Sequence, residues 1–425
     1  MNKILLIPQT NISTTSNLLK HATKIILINL NSIFFLFHKC VTINKIVRDY
    51  ASVLCTLAQL LGRNERMNYI VFDLEWNQCP YGKGQENHRI PFEIIEIGAV
   101  KLNSEKQIID QFQVLIQPRV YKKLHFRTKE IIQLDIKDLE KGEPFYKAIR
   151  EFMHWCGEDY QFCTWGNTDL LELQRNMKYY GVLQLLKGPI YYLDAQKLFS
   201  MGFEDGESRK ALEYAVDFLG VEKGLDFHRA FADAWYTAKV FSKLNADLVR
   251  EYYSIDCYQN PKSKEEEVLV VYPDYEKLIS REFDTKEELL LDKEIASSRC
   301  CICGKSVRKK IRWFSAGPKT YYCLAKCAGH GWLKGKIRVK KTEDGKIFVV
   351  KTMKLTDEAE AETIKEKKEE IKRKRKERKK LEKEAKKLKE KELKLKEAEE
   401  KLLKEFEIEE IEIEEFQMEE SSEEE

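Results

Sequence analysis

Two acids, Asp73 and Glu75, close the apolar run "IVFDLEWNQ" at residues 70–78, one leucine apart. In an extended strand, residues i and i+2 project from the same face, so these carboxylates stand side by side where a buried strand ends. Alone, such a pair repels. Two more acids fall at the ends of predicted elements. Asp169 follows "FCTWGNT", where a strand pattern gives way to a helix, and Asp233 comes five residues after His228, within the last helix pattern or straddling its start. A divalent cation turns the repulsion into attraction, and oxygen ligands suit Mg²⁺ or Mn²⁺. Four acids and a histidine in this order amount to a two-metal phosphoryl-transfer site. Taken singly, each has a plainer role: a strand end meeting solvent, a helix N-cap at Asp169, a surface histidine, a solvated helix acid at Asp233.

The elements that must position these residues alternate between strand and helix signals from Asn68 to about Leu244. "YIVFDL", "FEIIEIGAVKL" and "IIDQFQVLI" follow one another across short polar gaps, as an antiparallel meander does. "PFYKAIREFMHWCG" starts on Pro144 and stops on Gly157, a helix signature. "QFCTW" and "PIYYLD" predict two more strands, with helices at "DLLELQRNMKYYG", "SRKALEYAVDFLG" and "HRAFADAWYTAKVFSKL". The pattern predicts an α/β domain over 67–246: a mixed five-stranded sheet flanked by helices. Residues 247–297 carry no decisive signal and are expected to be a connector.

"FDLE", "WGNTD" and "HRAFAD" resemble the three motifs of the DEDDh family of 3′→5′ exonucleases, and the intervening "EIIEIGAVKL" and "ALEYAVDFLGV" are similar as well. Within that family the likeness is greatest to the branch of KapD-like bacterial proteins and eukaryotic histone-mRNA exonucleases, over about 180 residues. The resemblance implies an RNase H-like fold. It implies that Asp73, Glu75 and Asp233 hold one metal ion, that Asp73 also touches a second, and that Asp169 reaches the pair directly or through water. His228 would take the proton of the attacking water, a task suited to imidazole. The product would be a nucleoside 5′-monophosphate. Leu74, Trp76, Trp165 and Asn167 adjoin the motifs and are the candidate substrate contacts. Trp76 either stacks on a terminal base or fills the core, and for Trp165 and Asn167 core packing or turn-making competes with substrate binding.

Of the chain's eleven cysteines, Cys300, Cys301, Cys303, Cys323 and Cys327 crowd into 28 residues. That is metal-site spacing rather than a disulfide framework, and it favours a reducing, cytoplasmic setting. Cys300, Cys303, Cys323 and Cys327 form the expected S₄ cage of a structural Zn²⁺ in a ribbon over 298–352, with Gly304 permitting the turn after the first pair. Cys301 is then the spare thiol, Cys300 and Cys301 being interchangeable, and His330 can stand in for Cys327. "VRKKIRWF", "KTYY" and "GWLKGKIRVKK" interleave cations with aromatics around this cage, a pattern that suits RNA or single-stranded DNA, with a protein-docking ribbon as the rival.

The net charge of +3 hides strong segregation. Residues 353–425 are Lys and Glu in bulk, with Leu381, Leu388, Leu395 and Leu402 seven apart, so a charged helical or disordered tail is expected, basic at 372–380 and acidic at its end. It identifies no protein partner. Residues 1–66 hold eight Lys or Arg against Asp49 and Glu65. Their apolar stretch 25–37 is broken by Asn29 and Asn31 and falls short of the roughly 20 residues of a membrane span, so no stable membrane association is expected. "LGRNERM" reads as a purine-rich stretch ahead of a start codon, which would put translation initiation at Met67 of a bacterial protein. The sequence therefore points to a metal-dependent 3′→5′ exonuclease acting on single-stranded RNA or DNA with a free 3′ end. The alternatives are a DNA exonuclease of proofreading or repair type and a non-catalytic nucleic-acid adaptor.

Overall fold

The computed structural model describes residues 67–423 apart from Gln133; the leader before Met67, with its apolar stretch 25–37, lies outside the described residues. Three antiparallel strands open the fold: β1 (Asn68–Gln78), β2 (Phe92–Leu102) and β3 (Ile108–Leu115). Helices α1 (Phe126–Ile132), α2 (Ile136–Leu139) and α3 (Phe145–Cys156) lead into β4 (Tyr160–Thr164), which pairs parallel to β1. Next come α4 (Thr168–Tyr179), β5 (Ile190–Asp194), α5 (Ala195–Phe203), α6 (Leu212–Phe218), α7 (Ala230–Ser242) and α8 (Ala246–Glu251). The sheet is mixed and flanked by helices, as expected. It has a sixth strand, however: β6 (Ser254–Asp256) adds antiparallel to β5 and makes the order β3-β2-β1-β4-β5-β6. Three residues are too few to show a period of two, which is why β6 is invisible in the sequence.

Alternation along β1 divides its side chains between two cores. Ile70, Phe72 and Leu74 join the cluster under α3 and α4, with Phe152, Phe162 and Leu173. Val71 joins the opposite cluster with Leu198, Ala234 and Phe241 of α5 and α7. Asp73 and Glu75 therefore face the α7 side. Gly98 of β2, paired with Asp73, lets α7 come down onto the sheet: a Cβ there would lie 2.0 Å from the Phe231 backbone nitrogen.

The stretch 247–297 is more than a connector. Besides α8 and β6 it supplies β7 (Val268–Val271), β8 (Tyr275–Ile279), α9 (Lys286–Leu291) and α10 (Lys293–Ala296). The two strands join β9 (Lys309–Gly317), β10 (Thr320–Cys327), β11 (Gly331–Lys341) and β12 (Ile347–Thr356) in a second, antiparallel sheet of order β7-β8-β12-β11-β10-β9. Ile255 and Cys257 from the first sheet's edge pack with Val270, Tyr272, Ile279 and Phe348 of the second, and Lys178 pairs with Glu343 across the junction at 2.5 Å. The tail is one helix, α11 (Glu358–Glu423), whose start is pinned by Ala361 and Ile364 against Tyr322 and Leu324. Leu381, Leu388 and Leu395 are exposed along it, so this part of the heptad stripe has no partner among the described residues. No helix among the described residues is long and apolar enough to cross a membrane.

Candidate active site

Three structural devices bring the acids together. A bulge between Glu75 and Trp76 breaks the β1–β2 register just after the acid pair. The buried amide of Asn176 on α4 takes up backbone groups near the bulge, accepting from Ile94 N–H at 3.1 Å and donating to the Phe92 carbonyl at 2.8 Å. Asp169 sits in the first turn of α4, and Asp233 in the first turn of α7. Carboxylate oxygens of Asp73, Glu75 and Asp233 all lie within 4.8 Å of one another. Asp169 is buried beside them and is the nearest strong electrostatic influence on Asp73 after burial itself.

The electrostatics are those of buried, clustered acids. Burial, followed by the neighbouring acids Asp169, Glu75 and Asp233, holds the Asp73 carboxyl well above the usual range. Glu75 is pushed up to about 8, first by burial and then by Asp233 and Glu96, against a smaller opposing pull from Arg229. Burial raises Asp169 to about 7, while the backbone N–H groups of Asp169 and Leu74 draw it back. Asp233 rises to about 6, with His228 opposing the effect of burial. Its Oδ1 is buried with no hydrogen-bond partner among the described residues. Clustered carboxylates and an unsatisfied buried oxygen are what an oxygen-ligated divalent cation relieves, so the residues present fit a metal.

His228 lies before α7, exposed, with φ +66, and its N–H reaches Asp233 Oδ2 at 3.3 Å. The expected helix over "HRAFADAWYTAKVFSKL" thus begins only at Ala230, because the chain turns through a left-handed residue to present His228 beside the acids. Histidine is among the few non-glycine residues found there with some frequency.

A histidine and four acids do not exhaust the site. Glu96, fully buried and paired with Glu75 across β1–β2, receives a two-pronged contact from Arg229, at 3.0 Å from Nε and 2.9 Å from Nη2, and a third hydrogen bond from Gln113 at 2.7 Å. The pair ties the residue after His228 to the sheet. Both residues fall inside the quoted motifs, and the inward-facing acid in "EIIEIG" was the available signal. Arg229→Met strands a buried carboxylate. It is expected to cost about 3–5 kcal/mol in urea unfolding at pH 7, and to lower activity by loosening the His228 loop.

The family model described as Exonuclease, of the RNase T type, matches residues 70–241, the span that carries all five motif residues. These residues are similar to an exonuclease domain of that type. The probable 3′-5′ exonuclease KapD of Bacillus subtilis (strain 168) is 26% identical over 181 residues, covering 42% of this chain and 84% of that protein. Among solved structures, the nuclease domain of 3′hExo, a DEDDh family member bound to rAMP, aligns with TM-score 0.39 and 16% identity over 45% of this chain and 98% of that one. Pop2p of S. pombe, in its Mg²⁺- and Mn²⁺-bound form, aligns with TM-score 0.32 and 17% identity over 45% of this chain and 87% of that one.

Of the four candidate substrate contacts in the exonuclease domain, two are turned inward. Leu74 is only 2% exposed, in the core beneath β1, where alternation places it opposite the acids. Trp165 packs on Phe199 with ring centres 5.9 Å apart and donates its indole N–H to the Lys210 carbonyl at 3.2 Å. Trp76, displaced by the bulge, is half-buried against Phe92 at 5.7 Å. Asn167, at the start of α4, is exposed and its side chain makes no capping bond, which leaves the amide open beside Asp169.

The cysteine cluster differs from expectation in one ligand. Cys300, Cys303, Cys327 and His330 place ligand atoms within 4.8 Å of one another, while Cys323 does not join them. Cys323 and Cys327 sit on the same strand, β10, and four residues of strand span roughly 13 Å. Cys323 is instead fully buried beside Trp313, Gly335 and Met353, where burial pushes its thiol up to about 12. Backbone N–H of Gly329 and the His330 side chain bring Cys327 down to about 6. The legible signal was "CAGH", a C-x2-H turn matching the C-x2-C turn at Cys300.

Proposed function

We propose that the exonuclease domain hydrolyses the terminal phosphodiester of single-stranded nucleic acid, RNA before DNA, with two divalent ions held by Asp73, Glu75, Asp169 and Asp233. The observation that carries this is the meeting of three carboxylates within 4.8 Å, with buried Asp169 and the His228 loop alongside. The preference for RNA rests on the likeness of the motifs and of "EIIEIGAVKL" to the branch that includes histone-mRNA exonucleases. Bound Mg²⁺ or Mn²⁺ supplies charge stabilisation to the attacking and leaving oxygens. His228, exposed to solvent and anchored to Asp233, accepts the proton of the attacking water. As the water oxygen bonds to phosphorus, the P–O3′ bond breaks, the penultimate 3′ oxygen takes a solvent proton, and the terminal nucleoside 5′-monophosphate departs. Asn167 contacts the terminal nucleotide through its free amide, and the exposed part of Trp76 stacks on a base.

Purified 67–425 is expected to shorten 5′-labelled RNA and, more slowly, DNA into a 3′ ladder in Mg²⁺ or Mn²⁺ but not in EDTA. A wild-type chain that shortens neither polymer would leave the adaptor reading in its place. His228→Asn, chosen because asparagine tolerates the left-handed backbone, should lower kcat by about 10²–10⁴-fold with metal binding intact.

We further infer that Cys300, Cys303, Cys327 and His330 hold a structural Zn²⁺. The contacts support it: Cys303 and Cys327 sulfurs stand 3.9 Å apart, and His330 Nδ1 lies 3.5 and 3.6 Å from Cys300 and Cys327. A tetrahedral ion with bonds of about 2.0–2.3 Å fits these edges. Elemental analysis should find zinc retained in Cys323→Ser and lost in both Cys303→Ser and His330→Ala; loss in Cys323→Ser with retention in His330→Ala would restore the all-cysteine cage.

A further inference from the structure

Away from the acid cluster, the two sheets enclose a cleft of about 630 Å³. One wall comes from α5, the loop at 205–209 and the edge at Ile255 and Cys257; the other is a face of the second sheet. Strand register builds that face. Lys277, Thr352 and Lys336 stand in a row across β8, β12 and β11, and Arg338 and Lys340 continue along β11 at every second residue. The alternate residues Ile337 and Val339 point into the second sheet's core.

Seven basic side chains line the cleft against three acidic ones. Among the described residues, only Lys354 of the seven has a direct ion pair, with Asp274 at 3.7 Å. Lys197, Arg209, Lys277, Lys336, Arg338 and Lys340 face the space without a carboxylate in contact. Burial, then Lys277, pulls Lys197 down to about 8, and burial, with Lys340 and Arg338 among the lesser causes, lowers Lys277. A fold that concentrates like charges from two separate sheets in one concavity works against its own stability unless a polyanion fills it. Tyr252 and Tyr275 also line the space, with Tyr275 stacked on Tyr272 at 4.2 Å, so aromatic faces accompany the cations.

We propose that this cleft is a second nucleic-acid site, which binds the phosphodiester backbone of the strand upstream of the 3′ end; this rests on the exonuclease reading above. Alternate residues of β11 are roughly 6.8 Å apart, a spacing that lets Lys336, Arg338 and Lys340 meet successive phosphates of an extended single strand. An acidic protein segment is the rival occupant, and the exonuclease match on the same chain favours the nucleic acid. The cleft therefore confers preference for length, holding long strands through contacts that a trinucleotide cannot make.

The test uses the full chain in the Asp73→Asn background, with anisotropy of 5′-labelled 20-mers and trimers of uridine and thymidine over a series of NaCl concentrations. Lys336→Gln with Arg338→Gln should weaken 20-mer binding at least tenfold at low salt and shrink its advantage over the trimer. The slope of log K against log salt should fall by about 0.7 for each cation removed. Arg209→Gln with Lys340→Gln, drawing on both walls, should move in the same direction, and Lys141→Gln with Lys147→Gln, which removes the same charge elsewhere, should change neither quantity. Unchanged affinity and slope in both cleft variants would overturn the proposal. Strand shortening by the chain with Asp73 intact is measured separately. If shortening proceeds while the cleft variants bind normally, the cleft falls alone; if shortening is absent while the 20-mer binds through the cleft, the exonuclease reading falls and the cleft stands.

Discussion

Asp73→Asn is expected to abolish metal-dependent shortening, by about 10³-fold or more in kcat/KM, while raising the melting temperature of the metal-free protein. Both effects have one source. Burial, followed by Asp169, Glu75 and Asp233, raises the Asp73 carboxyl well above its usual range, so its charged form is costly in the folded state. A carboxyl whose folded pKa exceeds its unfolded value contributes stability that is fully present below the unfolded pKa and disappears as pH rises through the folded one. For Glu75 that window runs from the ordinary 4.5 to about 8. In EDTA, the wild-type chain should therefore lose stability between about pH 4 and pH 8, on the order of 1–2 kcal/mol or more. Asparagine cannot ionise, so Asp73→Asn should melt a few degrees higher than wild type at pH 8 without metal. Mn²⁺ should raise the wild-type melting temperature and leave the variant nearly unmoved. Scanning calorimetry across pH with and without Mn²⁺ reads all of this; a variant less stable than wild type in EDTA at pH 8 would mean that the acids do not repel.

Gly98→Ala is expected to be nearly as damaging to activity, although Gly98 touches no substrate. Its added Cβ would lie 2.0 to 2.4 Å from backbone atoms of Ala230 and Phe231, which have no rotamer to change. Relief requires α7 to retreat by roughly 1.5 Å to reach ordinary contact. Asp233 is on the same turn, two residues past Phe231, and would leave the oxygen cluster with it. Displacements of about 1 Å in a catalytic constellation cost roughly 10²-fold, and overpacking costs about 1–3 kcal/mol. The expected result is a folded chain with a lowered melting temperature, weakened metal binding and kcat reduced at least 10²-fold. Titration calorimetry with Mn²⁺ checks the geometric step: metal affinity equal to wild type would show that α7 had not moved.

The five motif residues were legible because each carries its chemistry in its type and its placement in a periodic pattern. Period-two alternation fixed the common face of Asp73 and Glu75, and the switch from strand to helix pattern put Asp169 at a helix start, whereas Asp233 was left within the last helix or straddling its start. Less was legible where geometry depends on partners distant in sequence. Leu74 adjoins two ligands in the chain but points the opposite way, a consequence of the same alternation. The bulge at Glu75 and Trp76 and the approach of α7 at Gly98 become visible only when β2 is set against β1. Cys323 offered a suitable spacing on paper, yet C-x3-C brings two thiolates together only on a turn, and both residues lie within the extended strand β10. β6, β7 and β8, at three to five residues each, were too short to announce themselves, so the first sheet was expected without β6 and the stretch 247–297 as a connector.

The two-metal assignment is tested most directly by a strand whose terminal scissile linkage carries sulfur in place of the bridging 3′ oxygen. If a metal ion held by these carboxylates stabilises the leaving atom, sulfur should be a poor partner for the hard Mg²⁺ and a better one for Mn²⁺. Release of the terminal nucleotide from the sulfur-bridged strand, normalised to the oxygen parent, should be strongly depressed in Mg²⁺ and restored in Mn²⁺. An equal depression in both ions would contradict metal contact with the leaving atom.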